Sequence, residues 1–324
     1  MKLLTSPAPH VRTTDSTASV MIDVLIALSP AVVAATYFFG LQAFILSIVG
    51  MISAELLEFF IMRFLRKDKG FVPNGSAAVT GLLLALNVSV ATPWWVLLIG
   101  VLFAIAVVKH AFGGLGQNIF NPALAARVFL LVSFPTAMTT WYPPLGKFFG
   151  TYVDIQTTAT PLAVLKLEGF SSAMKKFTYI DLLFGNIGGC IGETSALLLI
   201  IGFLYLVFRG RIKLVIPITY LGTVFVFSSI MYMVNPERFG TPLFHLLAGG
   251  MMLGALFMAT DMVTTPMTPK GQAIFGVGCG LITMLIRYFG GYPEGVSLSI
   301  LLMNAFVPVI DRYTQPTIFG RRKS

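Results

Sequence analysis

Chemistry in this chain concentrates in three short polar runs set among long apolar stretches. The first is Thr151-Tyr-Val-Asp154-Ile-Gln-Thr157-Thr158-Ala-Thr160-Pro161-Leu-Ala163. It lies in the one long segment, about 141–192, that is not strongly apolar. A residue before proline is pushed towards extended geometry, so Thr160 is expected at the edge of a regular element with its hydroxyl presented outward. A plain polar turn is the other reading of the same residues. The second run is His110-Ala-Phe-Gly-Gly-Leu-Gly-Gln-Asn118-Ile-Phe-Asn121-Pro-Ala. Asn118 and Asn121 are three apart and would share a face of a helical start. Each amide offers a donor and an acceptor, which suits an imide or a heteroaromatic ring edge. Asn121 before Pro122 also reads as a helix cap, which leaves Asn118 unaccounted for. The third run is Thr260-Asp261-Met-Val-Thr-Thr-Pro-Met-Thr-Pro-Lys270. Its acid suits a cation or a proton, or a simple pair with Lys270.

The elements that must position these residues are membrane spans. Hydrophobic residues make up 56% of the chain, charged residues only 11%, and mean hydropathy is +0.86. Soluble domains carry about 25% charged residues. The apolar runs are about 20 residues long, which indicates helices rather than a barrel. The expected fold is an all-α integral membrane protein of about ten spans, at 20–40, 42–64, 75–91, 94–110, 119–138, 194–209, 212–234, 243–260, 271–289 and 294–310. Residues 1–19 are polar and show no cleavable leader, so the first span is expected to stay as an anchor. The net charge of +9 reads as basic cytoplasmic loops and not as a nucleic-acid footprint. Those loops hold Arg63, Arg66, Lys67 and Lys69; Lys109 and His110; Arg209, Arg211 and Lys213; and Arg321, Arg322 and Lys323. With both termini cytoplasmic, the segment carrying Thr160 faces outward. The chain then divides into an N-terminal segment (1–19), a first membrane repeat (20–140), an outward loop region (141–193), a second membrane repeat (194–311) and a basic tail (312–324).

The repeat rests on an ungapped match of 81–93 to 254–266, with glycine and Thr-Pro at the same offsets, followed by Phe112-Gly-Gly answered by Phe289-Gly-Gly. Five spans per half make the second half inverted. Inverted repeats with glycine- or proline-interrupted segments at matching places point to a midplane site. Acids in or near spans are costly and read as functional by default. They are Asp23, Glu55, Glu58, Glu193, Asp261, Glu294 and Asp311, with Glu55 and Glu58 on one face that Arg63 would pair, and Asp23 and Asp311 as interface charges. Cys190 and Cys279 make no metal or redox motif, and no His, Cys or carboxylate cluster has metal-ligand spacing.

Several of these runs together resemble one family. Asp154-x-x-Thr-Thr-Ala-Thr160 is similar to the signature Asp-x-x-Ser/Thr-Gly-Ala-Thr, at which a flavin transferase esterifies FMN phosphate to the last threonine. Lys109 through Ala123, Met258 through Gly271, Glu294-Gly-Val and Leu301-Leu-Met-Asn304 resemble motifs of the NqrB/RnfD family, which takes in a membrane component of the Rnf electron-transport complex and its Nqr relative. The resemblance covers about residues 20–312, and the chain length is nearer the Rnf member. Thr158 departs from it by standing where the signature has glycine, which sets Thr157 and Thr158 beside Thr160 as competing acceptors. The resemblance implies a flavin-carrying membrane subunit of a redox-driven ion pump that links ferredoxin and NAD to sodium or proton movement. It implies covalent FMN at Thr160, with Asp154 and Thr157 in its signature, and riboflavin near Asn118 and Asn121. Asp261, Glu55, Glu58 and Glu294 are the candidate ion-path acids. No nicotinamide fingerprint or iron–sulfur spacing is present, so those centres would belong to the other Rnf subunits (RnfA, RnfB, RnfC, RnfE and RnfG) in the bacterial or archaeal cytoplasmic membrane. An inverted-repeat solute channel without a redox role is the alternative, since the repeat fits both.

Overall fold

Out of water, a backbone must satisfy its own polar groups, and a helix does so within one segment. The computed structural model describes residues 16–68, 70–148 and 157–315; Asp154 of the acceptor run lies outside them. Among the described residues the chain is all helical. In order come α1 (Thr17–Phe39), α2 (Leu41–Phe60), α3 (Ser76–Leu86), α4 (Trp94–Leu102), α5 (Pro122–Ser133) and α6 (Pro135–Thr139). Three short helices follow: α7 (Pro161–Glu168), α8 (Phe170–Lys176) and α9 (Tyr179–Phe184). After a 3-10 turn at Ile191–Glu193 come α10 (Ala196–Phe208), α11 (Val215–Val234), α12 (Pro236–Phe239), α13 (Pro242–Leu247), α14 (Met251–Leu253), α15 (Pro269–Phe289) and α16 (Val296–Thr314). Helices α2, α4 and α14 each run on into a π-helical stretch, at Ile61–Leu65, Phe103–His110 and Gly254–Met258.

Among the described residues five helices are long and apolar enough to cross a membrane: α1, α2 with its extension, α11, α15 and α16. A sixth arises if Pro236–Leu247 and Met251–Met258, bent by 49°, count as one span. The remaining predicted spans coincide with shorter apolar helices, Ser76–Leu86, Trp94–His110, Pro122–Ser133 and Ala196–Phe208. The difference from ten has a physical reason. Hydropathy sums composition and is blind to where a helix stops, so the stretch 75–91 reads as one span although α3 ends at Leu86. At 11 residues, α3 is about 16 Å long, roughly half a bilayer core. Large apolar side chains stay exposed along the long helices, as at Phe44, Ile52, Leu56 and Phe59 of α2. A surface of that kind needs lipid or protein cover, and the chain is a multi-pass membrane protein.

Helix α3 lies at the centre, buried along nearly its whole length. It approaches α2 closely because both carry glycine: a Cβ on Gly81 would sit 2.1 Å from the Gly50 carbonyl oxygen. The repeat-matched Gly254 packs differently, against Val296 of α16. Asp23, expected as an ordinary interface charge, is buried and joins α1 to the end of α10: it accepts from Tyr205 Oη at 2.9 Å and Arg211 Nε at 2.7 Å. Asp311 accepts from the Met267 backbone N–H at 3.1 Å. Helices α7 to α9 form a smaller apolar cluster with α13, built on Leu162, Leu165, Leu182 and Phe244. Asp181 closes a capping box on α9; the Thr178 hydroxyl, its backbone N–H and Asn186 hold the Asp181 carboxyl below the usual carboxylate range.

The α2–α3 contact tolerates no side chain on Gly81. Gly81→Ala is expected to destabilise by about 1–3 kcal/mol through overpacking, whereas Gly222→Ala on α11, with open space around the position, should be neutral or stabilising by up to about 1 kcal/mol. Thermal unfolding of both variants in one detergent checks the contrast.

Candidate functional site

The site residues gather around the first two turns of α5. Asn121 caps this helix, its Oδ1 accepting from Ala123 N at 3.1 Å and Leu124 N at 3.3 Å, with Pro122 at the first position. Its Nδ2 donates to the Met258 carbonyl at 3.3 Å, where the π-helical end of α14 leaves an unpaired oxygen, and its backbone N–H donates to Asn304 Oδ1 on α16 at 3.4 Å. Asn118 lies before the helix and not on it, so the two amides do not share a helical face as expected. The loop instead carries both to the wall of one cavity. Asn118 Nδ2 donates to the Phe120 carbonyl at 3.1 Å. The loop is held by Arg66, which donates to the carbonyls of Gly113 at 2.6 Å and His110 at 2.7 Å. Gly113 and Gly114, with φ of 129° and 104°, supply the left-handed backbone this turn requires.

That first cavity, about 110 Å³, is lined by Thr80, Lys109, Asn118, Asn121, Thr260 and Asp261, among others. Asp261 accepts from Val263 N at 3.4 Å and the Thr264 hydroxyl at 3.0 Å, and Lys270 is not its partner. Glu55 and Glu58 share a face of α2 as expected, but Arg63 is not the partner the structure records for either. Glu55 accepts from Ala78 N at 3.1 Å in the first turn of α3, where a helix N-terminus favours an anion. Glu58 Oε1 lies 2.6 Å from Lys109 Nζ and 3.3 Å from His110 Nε2, and Lys109 also donates to Ser76 Oγ at 2.7 Å. Lys109 and His110, read as loop charges, are therefore buried at the helix end; a cation there is satisfied by the carboxylate of Glu58.

The second cavity, about 330 Å³, is lined by Arg127, Trp141, Thr158, Thr160, Tyr292 and Glu294, among others. Thr160 has the expected extended backbone, φ −70° and ψ 154°, but its hydroxyl does not point to solvent. It caps α7, accepting from Ala163 N at 3.3 Å, and the residue is only 3% exposed. Pro161 both extends Thr160 and opens a helix, and the free N–H groups of that helix draw the hydroxyl inward. Thr157 is exposed. Thr158, the departure from the signature, is accommodated: a Cβ on Gly188 would fall 2.3 Å from its Cγ2, so its methyl fills space that this glycine vacates.

The residue that sequence reasoning misses is Arg127. The signal is there, since it is the one charged residue in the predicted span 119–138, but a reading confined to acids inside spans passes over it. Its Nη1 donates to Asn87 Oδ1 at 3.1 Å and Ser297 Oγ at 2.9 Å; its Nη2 donates to Cys190 Sγ at 3.3 Å and pairs with the Glu294 carboxylate. Asn87 itself caps α3, donating to Leu83 O at 2.7 Å and approaching Met258 Sδ at 3.4 Å, so the broken ends of α3 and α14 meet beside α5. Cys190, Glu193 and Glu294 bring potential ligand atoms within 4.8 Å of one another, a grouping that sequence spacing could not reveal because Glu294 comes from a distant loop. Cys190 and Cys279 are both free and buried.

The model of the NQR2, RnfD, RnfE family matches residues 4–320. Among curated relatives, the RnfD subunit of the proton-translocating ferredoxin:NAD(+) oxidoreductase complex of Clostridium ljungdahlii is 46% identical over 98% of this chain and 96% of its own length. The RnfD subunit of the Na(+)-translocating ferredoxin:NAD(+) oxidoreductase complex of Acetobacterium woodii is 49% identical over 100% of this chain and 97% of its own. The corresponding subunit of the ion-translocating oxidoreductase complex of Yersinia pseudotuberculosis is 36% identical over 99% of both.

Proposed function

The chain belongs to the NQR2, RnfD, RnfE family, and from that premise we propose that it is the flavin-carrying membrane subunit of an ion-translocating ferredoxin:NAD oxidoreductase. The observation that carries the flavin assignment is the placement of Thr160 in the wall of a cavity of about 330 Å³. Cavities of about 300–1,000 Å³ hold cofactor-sized ligands. The Trp141 and Tyr292 side chains offer flat apolar surface, and the Arg127 cation offers a counter-charge, so the residues present suit FMN esterified to Thr160. A bound flavin supplies the electron transfer itself. The protein supplies the rest: Thr160 fixes the attachment point at the start of α7, Arg127 favours negative charge in the cavity, and the helices around it limit water. Asp154 and Thr157 belong to the signature the maturing flavin transferase reads, with Thr157 exposed to it.

The first cavity is the candidate place for non-covalent riboflavin, and at about 110 Å³ it must widen to take the ring. Asn121 spends its amide on the cap and on Met258, so Asn118, which lines the same cavity, is the better ligand. Among the ion-path acids, Glu58 is paired with Lys109 and Glu294 with Arg127; of the other two, Asp261 lines the first cavity and Glu55 does not, which makes Asp261 the leading candidate. Counting the shorter apolar helices and the bent pair as crossings gives ten in two inverted five-helix repeats, a reading supported by the meeting of the α3 and α14 ends. Both termini would then be cytoplasmic and the Thr160 cavity would face outward, in a bacterial or archaeal cytoplasmic membrane, with RnfA, RnfB, RnfC, RnfE and RnfG as partners. The C. ljungdahlii and A. woodii relatives are named for different ions, so identity alone does not choose between H⁺ and Na⁺.

With the flavin transferase co-expressed, the denatured subunit on a gel should fluoresce as flavin, lose that signal in Thr160→Val and keep it in Thr158→Val. A colourless wild type, or signal that follows Thr158, would overturn the assignment. In vesicles carrying the whole complex, Asp261→Asn should impair ion uptake severalfold at normal flavin content; unchanged uptake would remove Asp261 from the path.

A further inference from the structure

Glu193 is buried, and neither of its carboxylate oxygens has a hydrogen-bond partner. It ends the 3-10 turn Ile191–Glu193 and lies between two glycines that make room for it: a Cβ on Gly189 would stand 2.3 Å from Oε2, and one on Gly250 would stand 3.6 Å from Oε1. Cys190 Sγ and a Glu294 carboxylate oxygen lie within 4.8 Å of its own. The cations facing this group come from two helices, and their terminal nitrogens bond elsewhere, while Arg287 Nε has no partner among the described residues. Arg127 of α5 uses them on Asn87, Ser297, Cys190 and Glu294. Arg287 of α15 uses them on the carbonyls of His245, Ala248 and Gly249.

An ionised carboxylate cannot be buried at tolerable cost without donors. A carboxylic acid can, provided its O–H finds an acceptor. The acceptor within reach is Glu294, which is kept ionised by Arg127 and still has an oxygen to offer. We propose that Glu193 is a neutral acid that shares one proton with Glu294, forming a buried proton-binding pair behind the wall of the Thr160 cavity. Two carboxyl groups forced together share a proton in this way because both cannot ionise side by side. A metal ion is a poorer occupant, because the Arg127 guanidinium already contacts two of the three ligands.

The pair reaches the cavity through Glu294, which lines it, as Arg127 does. Resting on the flavin reading above, an electron delivered to the cavity from the complex's donor adds negative charge beside Glu294. Glu294 then takes a proton from water on the cavity side, so the pair goes from one proton to two and the added charge is offset. The shared proton itself does not depend on that reading.

Infrared spectroscopy of the full-length chain in detergent tests the pair without any flavin. The spectrum of the wild type minus that of Glu193→Gln should contain a protonated-carboxyl C=O band that shifts in D₂O. Glu294→Gln should lose the same band, because Glu193 must then ionise to answer Arg127. Glu168→Gln, which alters the exposed pair with Lys176, should keep it. Unfolding temperatures identify any variant that fails to fold, and Glu193→Asp, which keeps the acid, should then restore a displaced band. Loss of a carboxylate band and not a carboxylic-acid band in the Glu193→Gln difference would overturn the proposal. So would a wild-type band that disappears when sodium replaces choline in the buffer, since that marks a cation site. In flavin-loaded protein, reduction should add a second protonated-carboxyl signal that Glu294→Gln lacks; its absence from the wild type would overturn the coupling.

Discussion

A guanidinium buried in an apolar bundle must find acceptors for its donors, and the arrangement that does this for Arg127 fixes the centre of the molecule. Through it α5 is tied to the end of α3, to the chain at Cys190, to Glu294 and to Ser297 of α16. Removing one partner of such a buried pair typically costs about 3–5 kcal/mol, because the survivor is left charged and alone. Of these, α5, Glu294 and Ser297 wall the second cavity. The same residue thus holds the fold together and sets the electrostatic character of the cavity, and neither role can be altered without the other.

The broken helices follow from the same demand. Where α3 stops at Leu86 and the π-helical end of α14 stops at Met258, backbone carbonyls are left at bilayer depth. Asn87 and Asn121 satisfy them with side-chain amides, and Arg127 stands at the negative end of α3, where a cation is favoured. Ending helices inside the bundle leaves space on either side of α5, one cavity walled by Asn118 and Asp261 and the other by Thr160 and Glu294. Of the two amides that repair the breaks, Asn121 also lines the first cavity.

The class of fold was legible in the apolar runs, and so were five polar residues that reach the cavities: Thr160, Asn118, Asn121, Asp261 and Glu294. Helix ends were less legible. A hydropathy window passes over Asn87 because its neighbours are apolar, and only the hydrogen bonds of that amide reveal the stop. Partners across the bundle were not legible at all. Nothing local to Glu58 indicates Lys109 and His110, and nothing local to Glu193 indicates Glu294. Thr160 shows the limit in one residue: its extended backbone follows from the proline after it, while the inward turn of its hydroxyl follows from a helix that begins there.

The measurement that bears most directly on this account is the midpoint potential of the covalently bound flavin in Arg127→Gln beside the wild type, with retained fluorescence on a denaturing gel showing that attachment is intact. If the flavin occupies the cavity lined by Thr160 and Arg127, loss of the cation should move the potential to a more negative value. An unchanged or more positive potential in a folded, flavinylated variant would place the flavin elsewhere and contradict the account.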